Sequence, residues 1–103
     1  MTREIEIVRI PVAPDQARRL VQVMEEARKG YLAAPACEAL ELLLSEQRDE
    51  LAAVVTWSSS QAHVKQQQTA AAGSFFQAVT GLAAGRPKIK QYRPASSAEA
   101  FER

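Results

Sequence analysis

Residues 37–57 leave this chain few ways to fold. Two apolar runs, CEALELLLSE and LAAVVTW, flank the polar stretch Gln47-Arg48-Asp49-Glu50, which suits a turn. The pair predicts an antiparallel hairpin with strands over 37–46 and 51–57. Side chains alternate across a strand, so Leu40, Leu42 and Leu44 share one face and Ala39 and Leu43 the other. In the second run Leu51, Ala53, Val55 and Trp57 oppose Ala52 and Val54. Both faces are apolar, whereas a sheet with one wet face alternates. The helices of a chain of 103 residues can cover only one side of such a sheet. A second copy of the chain is the simplest cover for the other. The hairpin therefore predicts a homodimer joined through the sheet face.

The flanking segments supply the rest of the sheet. Residues 4–12, EIEIVRIPV, read as a strand with Ile5 and Ile7 on one face and Val8 and Ile10 on the other. Pro14 and Asp15 suit the first turn of a helix. Leu20, Met24, Ala27 and Tyr31 follow at helical spacing, and Gly30 or Leu32 ends the run before Pro35. After Trp57, Ser58-Ser59-Ser60 end the strand and cap a short polar helix over 61–68. A further helix starts at Thr69 or Ser74. Its apolar stripe is Ala72, Phe75, Phe76, Val79 and Leu82 or Ala83, and it stops at Gly85 and Pro87. Residues 88–93, KIKQYR, form a fourth strand whose lysines suit an edge. The order β-α-β-β-α-α-β is the ferredoxin-like split βαβ, an α+β fold with a four-stranded antiparallel sheet. One domain over 1–94 and a loose tail over 95–103, where Phe101 can dock, account for the chain.

Composition removes several classes of function. Thirteen basic against 12 acidic residues leave a net charge of +1, too balanced for a nucleic-acid surface. No apolar run approaches the roughly 20 residues of a membrane span. The first residues, MTREIEIVRI, hold no signal-peptide core. A single cysteine points to a reducing, cytoplasmic setting. One histidine and one cysteine are too few for a structural zinc site. None of the four glycines belongs to a nucleotide-binding loop, so no nucleotide cofactor is expected.

His63, the one histidine, falls in the first turn of the helix after Trp57 and can carry a proton near neutral pH. Its plain alternative is a surface or helix-cap role. Trp57 can lie against a flat aromatic ligand, or close the end of the sheet as a core residue. Ser59 and His63 stand four apart, but no acid near in sequence orients a hydrolytic dyad, and capping explains the serine better. Cys37, opening an apolar strand, reads as buried and inert rather than nucleophilic. Arg86, Lys88, Lys90 and Arg93 can bind an anion, although guarding an edge strand explains them more simply. Gln66, Gln67 and Gln68 can line a pocket or form a solvated face.

The strand order, the run Trp57-Ser58-Ser59-Ser60-Gln61-Ala62-His63 and the Phe75-Phe76 pair together resemble the antibiotic biosynthesis monooxygenase family of dimeric α+β barrels. The resemblance spans roughly residues 5–93, most of a small domain. It implies a dimeric barrel and a cofactor-independent monooxygenase acting on an electron-rich aromatic or quinol-type substrate. Members that oxidise anthrones carry an Asn four residues before the Trp, a Tyr six after it and an Arg on a later helix. Those positions hold Ala53, His63 and Gln77 here, so His63 stands where the family has its tyrosine. The residues that serve haem-degrading relatives align with Val8, Gln66 and Phe76, which argues against haem degradation. The expected site is His63 as base or hydrogen-bond partner, Trp57 as a wall, and Gln66, Gln67 and Tyr31 as lining. A non-catalytic ligand-binding or assembly barrel, and an isomerase or decarboxylase of the same fold, are the alternatives.

Overall fold

The computed structural model describes residues 3–33, 37–67 and 70–95. Strand β1 (Glu4–Pro11) leads through a single 3-10 turn (Pro14–Gln16) into helix α1 (Ala17–Ala33). Strands β2 (Cys37–Leu44) and β3 (Glu50–Trp57), helices α2 (Ser60–Gln67) and α3 (Ala70–Leu82), and strand β4 (Lys88–Tyr92) come next. The sheet order is β2-β3-β1-β4, and all three pairings are antiparallel. This is the α+β, ferredoxin-like arrangement expected from the sequence. The lysines of β4 do lie on an edge strand, and every residue of it is exposed.

The elements differ from expectation at their ends, each for a local reason. Strand β2 stops at Leu44 rather than at residue 46 because Ser45 begins the turn. Its hydroxyl accepts the N–H groups of Asp49 and Glu50, each at 3.1 Å, and donates to Asp49 Oδ1 at 2.8 Å. Arg48 completes the turn with φ 60°, in the left-handed region. Pro14 opens the 3-10 turn and not α1 itself, since the first helical bonds there tighten to three-residue spacing. Ser74 is interior to α3 and does not start it. The expected role of Pro35, the stretch at Gln68 and Thr69, and the docking of Phe101 all fall outside the described residues.

The core lies on one face of the sheet, under α1 and α3. Ala17, Leu20 and Met24 of α1 and Val79 of α3 bury against Ile10, Leu40, Leu51, Ala53, Val55 and Trp57. Arg28 Nε donates to the Leu40 carbonyl at 2.9 Å and fastens α1 over β2. A bulge between Cys37 and Ala39 shifts the β2 register, so that Cys37 joins Leu40 on the covered face. The opposite face presents Ile5, Ile7 and Val54, half-buried, beside the more exposed Leu43 and Tyr92.

Helix α3 turns back to the sheet through a close approach at its C-terminal side. Ala84 N–H donates to the Pro11 carbonyl at 2.8 Å, and a Cβ at Gly85 would stand 3.3 Å from Pro11 Cγ. Strand β4 pairs with β1, and the cavity lies between it and α3, lined there by Phe76, Val79, Pro87 and Ile89.

Candidate active site

Strand β1 aims its even-numbered residues at the helices. Val8 and Ile10 belong there by hydrophobicity, but Glu4 and Glu6 share that face and are 7% and 6% exposed. A buried carboxylate without a partner costs several kcal/mol, on the order of the penalty per ion in a protein interior. The partner comes from α2. Ser59 caps this helix, its hydroxyl accepting the Ala62 N–H at 3.1 Å, so the chain reverses directly beyond Trp57. The tight reversal carries His63 back over β3.

The imidazole of His63 sits between the two acids. Its Nδ1 lies 2.5 Å from Glu4 Oε1, and its Nε2 lies 3.1 Å from Glu6 Oε2. The first contact is a short hydrogen bond. The second has ion-pair distance without hydrogen-bond alignment. One ring face stacks on Trp57, with centroids 4.6 Å apart and planes 10° from parallel. Tyr31 of α1 meets Trp57 edge-on, at 6.0 Å and 83°.

Burial raises the Glu6 carboxyl above its ordinary value. The His63 charge and the Trp57 N–H partly oppose that shift, and the neighbouring Glu4 charge adds to it. The Tyr31 phenol is also raised, first by burial and then by Glu6 and Cys37. Two carboxyl groups and an imidazole thus lie together in a partly desolvated setting.

That unit borders a cavity of about 500 Å³, in the range of small-molecule sites. Glu6 and His63 form its polar corner. Trp57, Tyr31, Val8 and Phe76 contribute apolar wall, and the remaining lining comes from both sheet and helices.

His63, Trp57 and Tyr31, three residues singled out from the sequence, therefore meet around one cavity. Gln66 and Gln67 belong to α2 by backbone, while their side chains lie outside what the structure describes. Although α2 is polar and Val64 is 54% exposed, His63 is 3% exposed, so the helix is not merely a solvated face. Phe76, placed in a buried stripe by periodicity, is instead 54% exposed at the cavity's rim. Cys37 is buried, and burial raises its thiol. Ser59 is occupied as a cap. Glu4 and Glu6 are the residues that sequence reasoning missed. The available signal was their alternation with Val8 and Ile10 on a strand face that has to be buried. Among the described residues, no group of three or more acidic, His or Cys side chains is arranged to hold a metal ion.

Fold and site together define an α+β protein with a cavity of small-molecule size beside a buried cluster of Glu4, Glu6 and His63. The chain belongs to the antibiotic biosynthesis monooxygenase family, whose model matches residues 5–78. No curated protein matches the sequence. Solved structures repeat the fold at low identity. One, from Caulobacter crescentus and named for the same family, superposes with a TM-score of 0.85 at 18% identity, covering 92% of each chain. Another so named, from Bordetella bronchiseptica, gives 0.81 at 23% identity over 92% of this chain and 99% of its own. A Streptomyces coelicolor monooxygenase bound to nanaomycin D gives 0.82 at 19% identity over 93% and 90%. Among the described residues no helix is long and apolar enough to cross a membrane.

Proposed function

We propose that this protein is a cofactor-independent monooxygenase whose substrate is a small electron-rich aromatic or quinol-type molecule. The observation that carries this reading is the coincidence of an apolar cavity with a buried Glu4–His63–Glu6 unit at its wall. Substrates of this kind react with dioxygen once deprotonated. The anion gives one electron to oxygen, the resulting radical pair combines to a peroxide anion, the proton held by the protein returns to it as the hydroperoxide, and loss of water leaves a carbonyl. The protein has to hold the substrate, remove a proton and keep water away. Trp57 and Tyr31 supply aromatic wall, His63 anchors the buried acid–imidazole unit that takes the proton, and Gln66 and Gln67 are the further lining we assign. Family membership and the nanaomycin D complex of one structural neighbour support the substrate class.

The working unit in this reading is a homodimer. Residues 1–94 form its functional domain and 95–103 a tail. Its compartment is the reducing cytoplasm, which suits a single buried thiol. Proton transfer without oxygen, as in an isomerase, is the second reading. It is favoured by a polar corner in which the described groups all handle protons.

Oxygen consumption with anthrones, naphthols and hydroquinones, without added cofactor, tests the proposal. Uptake should occur with wild-type protein and drop by about 100-fold in His63→Ala, because losing the imidazole dismantles the buried acid-base unit. Uptake that survives the substitution would remove His63 from the mechanism. No uptake across the panel would favour the isomerase reading.

A further inference from the structure

His63 is poorly placed to meet a ligand through either nitrogen. Glu4 faces Nδ1, Glu6 faces Nε2, and Trp57 covers a ring face. Glu6 lines the cavity and Glu4 does not. Trp57 lines it too, and among the described residues its buried indole N–H has no aligned hydrogen-bond partner. That N–H lies close enough to Glu6 to favour the ionised carboxylate. An acceptor and an unsatisfied donor thus stand together in an otherwise apolar wall. One hydroxyl satisfies both, by giving its hydrogen to the carboxylate and accepting the indole N–H.

We infer that Glu6, rather than His63, exchanges the proton with the ligand, that Trp57 Nε1 donates to the ligand oxygen, and that the ligand is a neutral apolar molecule bearing a weakly acidic hydroxyl. The monooxygenase reading governs only the chemistry after the proton transfer. In the transfer itself the ligand O–H bond breaks and the proton passes to the Glu6 carboxylate. The electron pair stays on the ligand oxygen, where the indole N–H stabilises it. His63 and Glu4 are positioning residues behind Glu6. Among the described residues, the titratable groups around Glu6 are His63 from α2, Glu4 from β1 and Tyr31 from α1. The contributions of α3 and β4 to this wall, Phe76, Val79 and Ile89 among them, are uncharged.

Calorimetric titration of 1-naphthol against its methyl ether tests the inference, because the two differ at one O–H. Wild-type protein should bind the naphthol at least about tenfold tighter, the worth of a hydrogen bond to a charged group. Glu6→Gln should abolish that preference while leaving the ether's Kd within about twofold, which also shows that the cavity is intact. In the wild type the preference should fade as acid protonates Glu6. His63→Gln should move that midpoint to higher pH, because the imidazolium no longer favours the carboxylate. A mere packing role for His63 would not shift the midpoint. Equal binding of the two probes, or a preference that survives both Glu6→Gln and acid, would overturn the inference. A Glu6-dependent preference without oxygen uptake would uphold it and remove the monooxygenase reading alone.

Discussion

His63 Nδ1 and Glu4 Oε1 lie 2.5 Å apart across 59 residues of sequence, and this bond fixes α2 to the first strand. Both partners are almost fully buried. Removing one takes a close counterpart from the other in a low-dielectric setting, which costs more than an exposed pair is worth. Glu4→Ala should therefore destabilise the protein by about 3 kcal/mol. Glu4→Gln keeps the shape and an acceptor oxygen and should cost about 1–2 kcal/mol. Urea unfolding measures both. A double-mutant cycle with His63→Ala should return a coupling of about 1–3 kcal/mol. A coupling near zero would mean the contact does not hold the helix.

Glu6 gives a pH dependence with a definite sign. Its folded carboxyl titrates above the ordinary value, chiefly through burial. The folded state therefore binds the Glu6 proton more tightly than the unfolded chain does. The associated stability is complete below the ordinary glutamate range and is lost as pH rises through the raised value. Wild type should lose stability relative to Glu6→Gln over that interval, since the amide has no charge to desolvate. Thermal unfolding of the two proteins from about pH 4 to pH 8 reads the difference. A constant difference would show that Glu6 is not buried as an acid.

The hairpin was the legible part of the fold, because alternation over 51–57 fixes both faces and Trp57 fixes an end. The element order came from periodicity and from Pro and Gly punctuation. The site was half legible. His63 and Trp57 stood out by chemistry and by closeness in sequence, whereas Glu4 and Glu6 are joined to them only through the pairing Glu4↔Trp57 and Glu6↔Val55. An acid in an alternating strand looks solvent-facing until the register shows which side the helices cover. Phe76 misled for a related reason. Helical spacing aligns it with Val79, but the gap between α3 and β4 removes the surface that would have buried it.

Tyr31 links the cavity wall to alkaline behaviour. Burial first, and the charges of Glu6 and Cys37 after it, hold its phenol protonated beyond the ordinary tyrosine range. A raised folded value means stability is lost as pH climbs through it. Tyr31→Phe should flatten the alkaline limb of the stability curve relative to wild type. Trp57, the single tryptophan, reports the same event because Tyr31 meets its ring at 6.0 Å. Its emission should fall as Tyr31 ionises and stay level in Tyr31→Phe. An equal fall in both proteins would assign the change to another group.

The open sheet face sets the last prediction. Val54 pairs with Ile7, and Thr56 with Ile5, near the middle of a surface that also carries Leu43 at 48% exposure and Tyr92 at 43%. Helices occupy the other side, so folding of one chain leaves this apolar area wet. A two-fold partner would cover it with the same residues in return, which is the isologous arrangement common to small homodimers. Under that symmetry one substitution enters the interface twice. Val54→Glu would bury two like charges in an apolar contact, and desolvation and repulsion then act together. Light scattering on wild-type protein at micromolar concentration should give twice the 11.3 kDa chain mass. Val54→Glu should give a single chain mass with an unchanged helical signal. A monomeric wild type would dismiss the sheet-face dimer, and a dimeric Val54→Glu would move the interface to another surface.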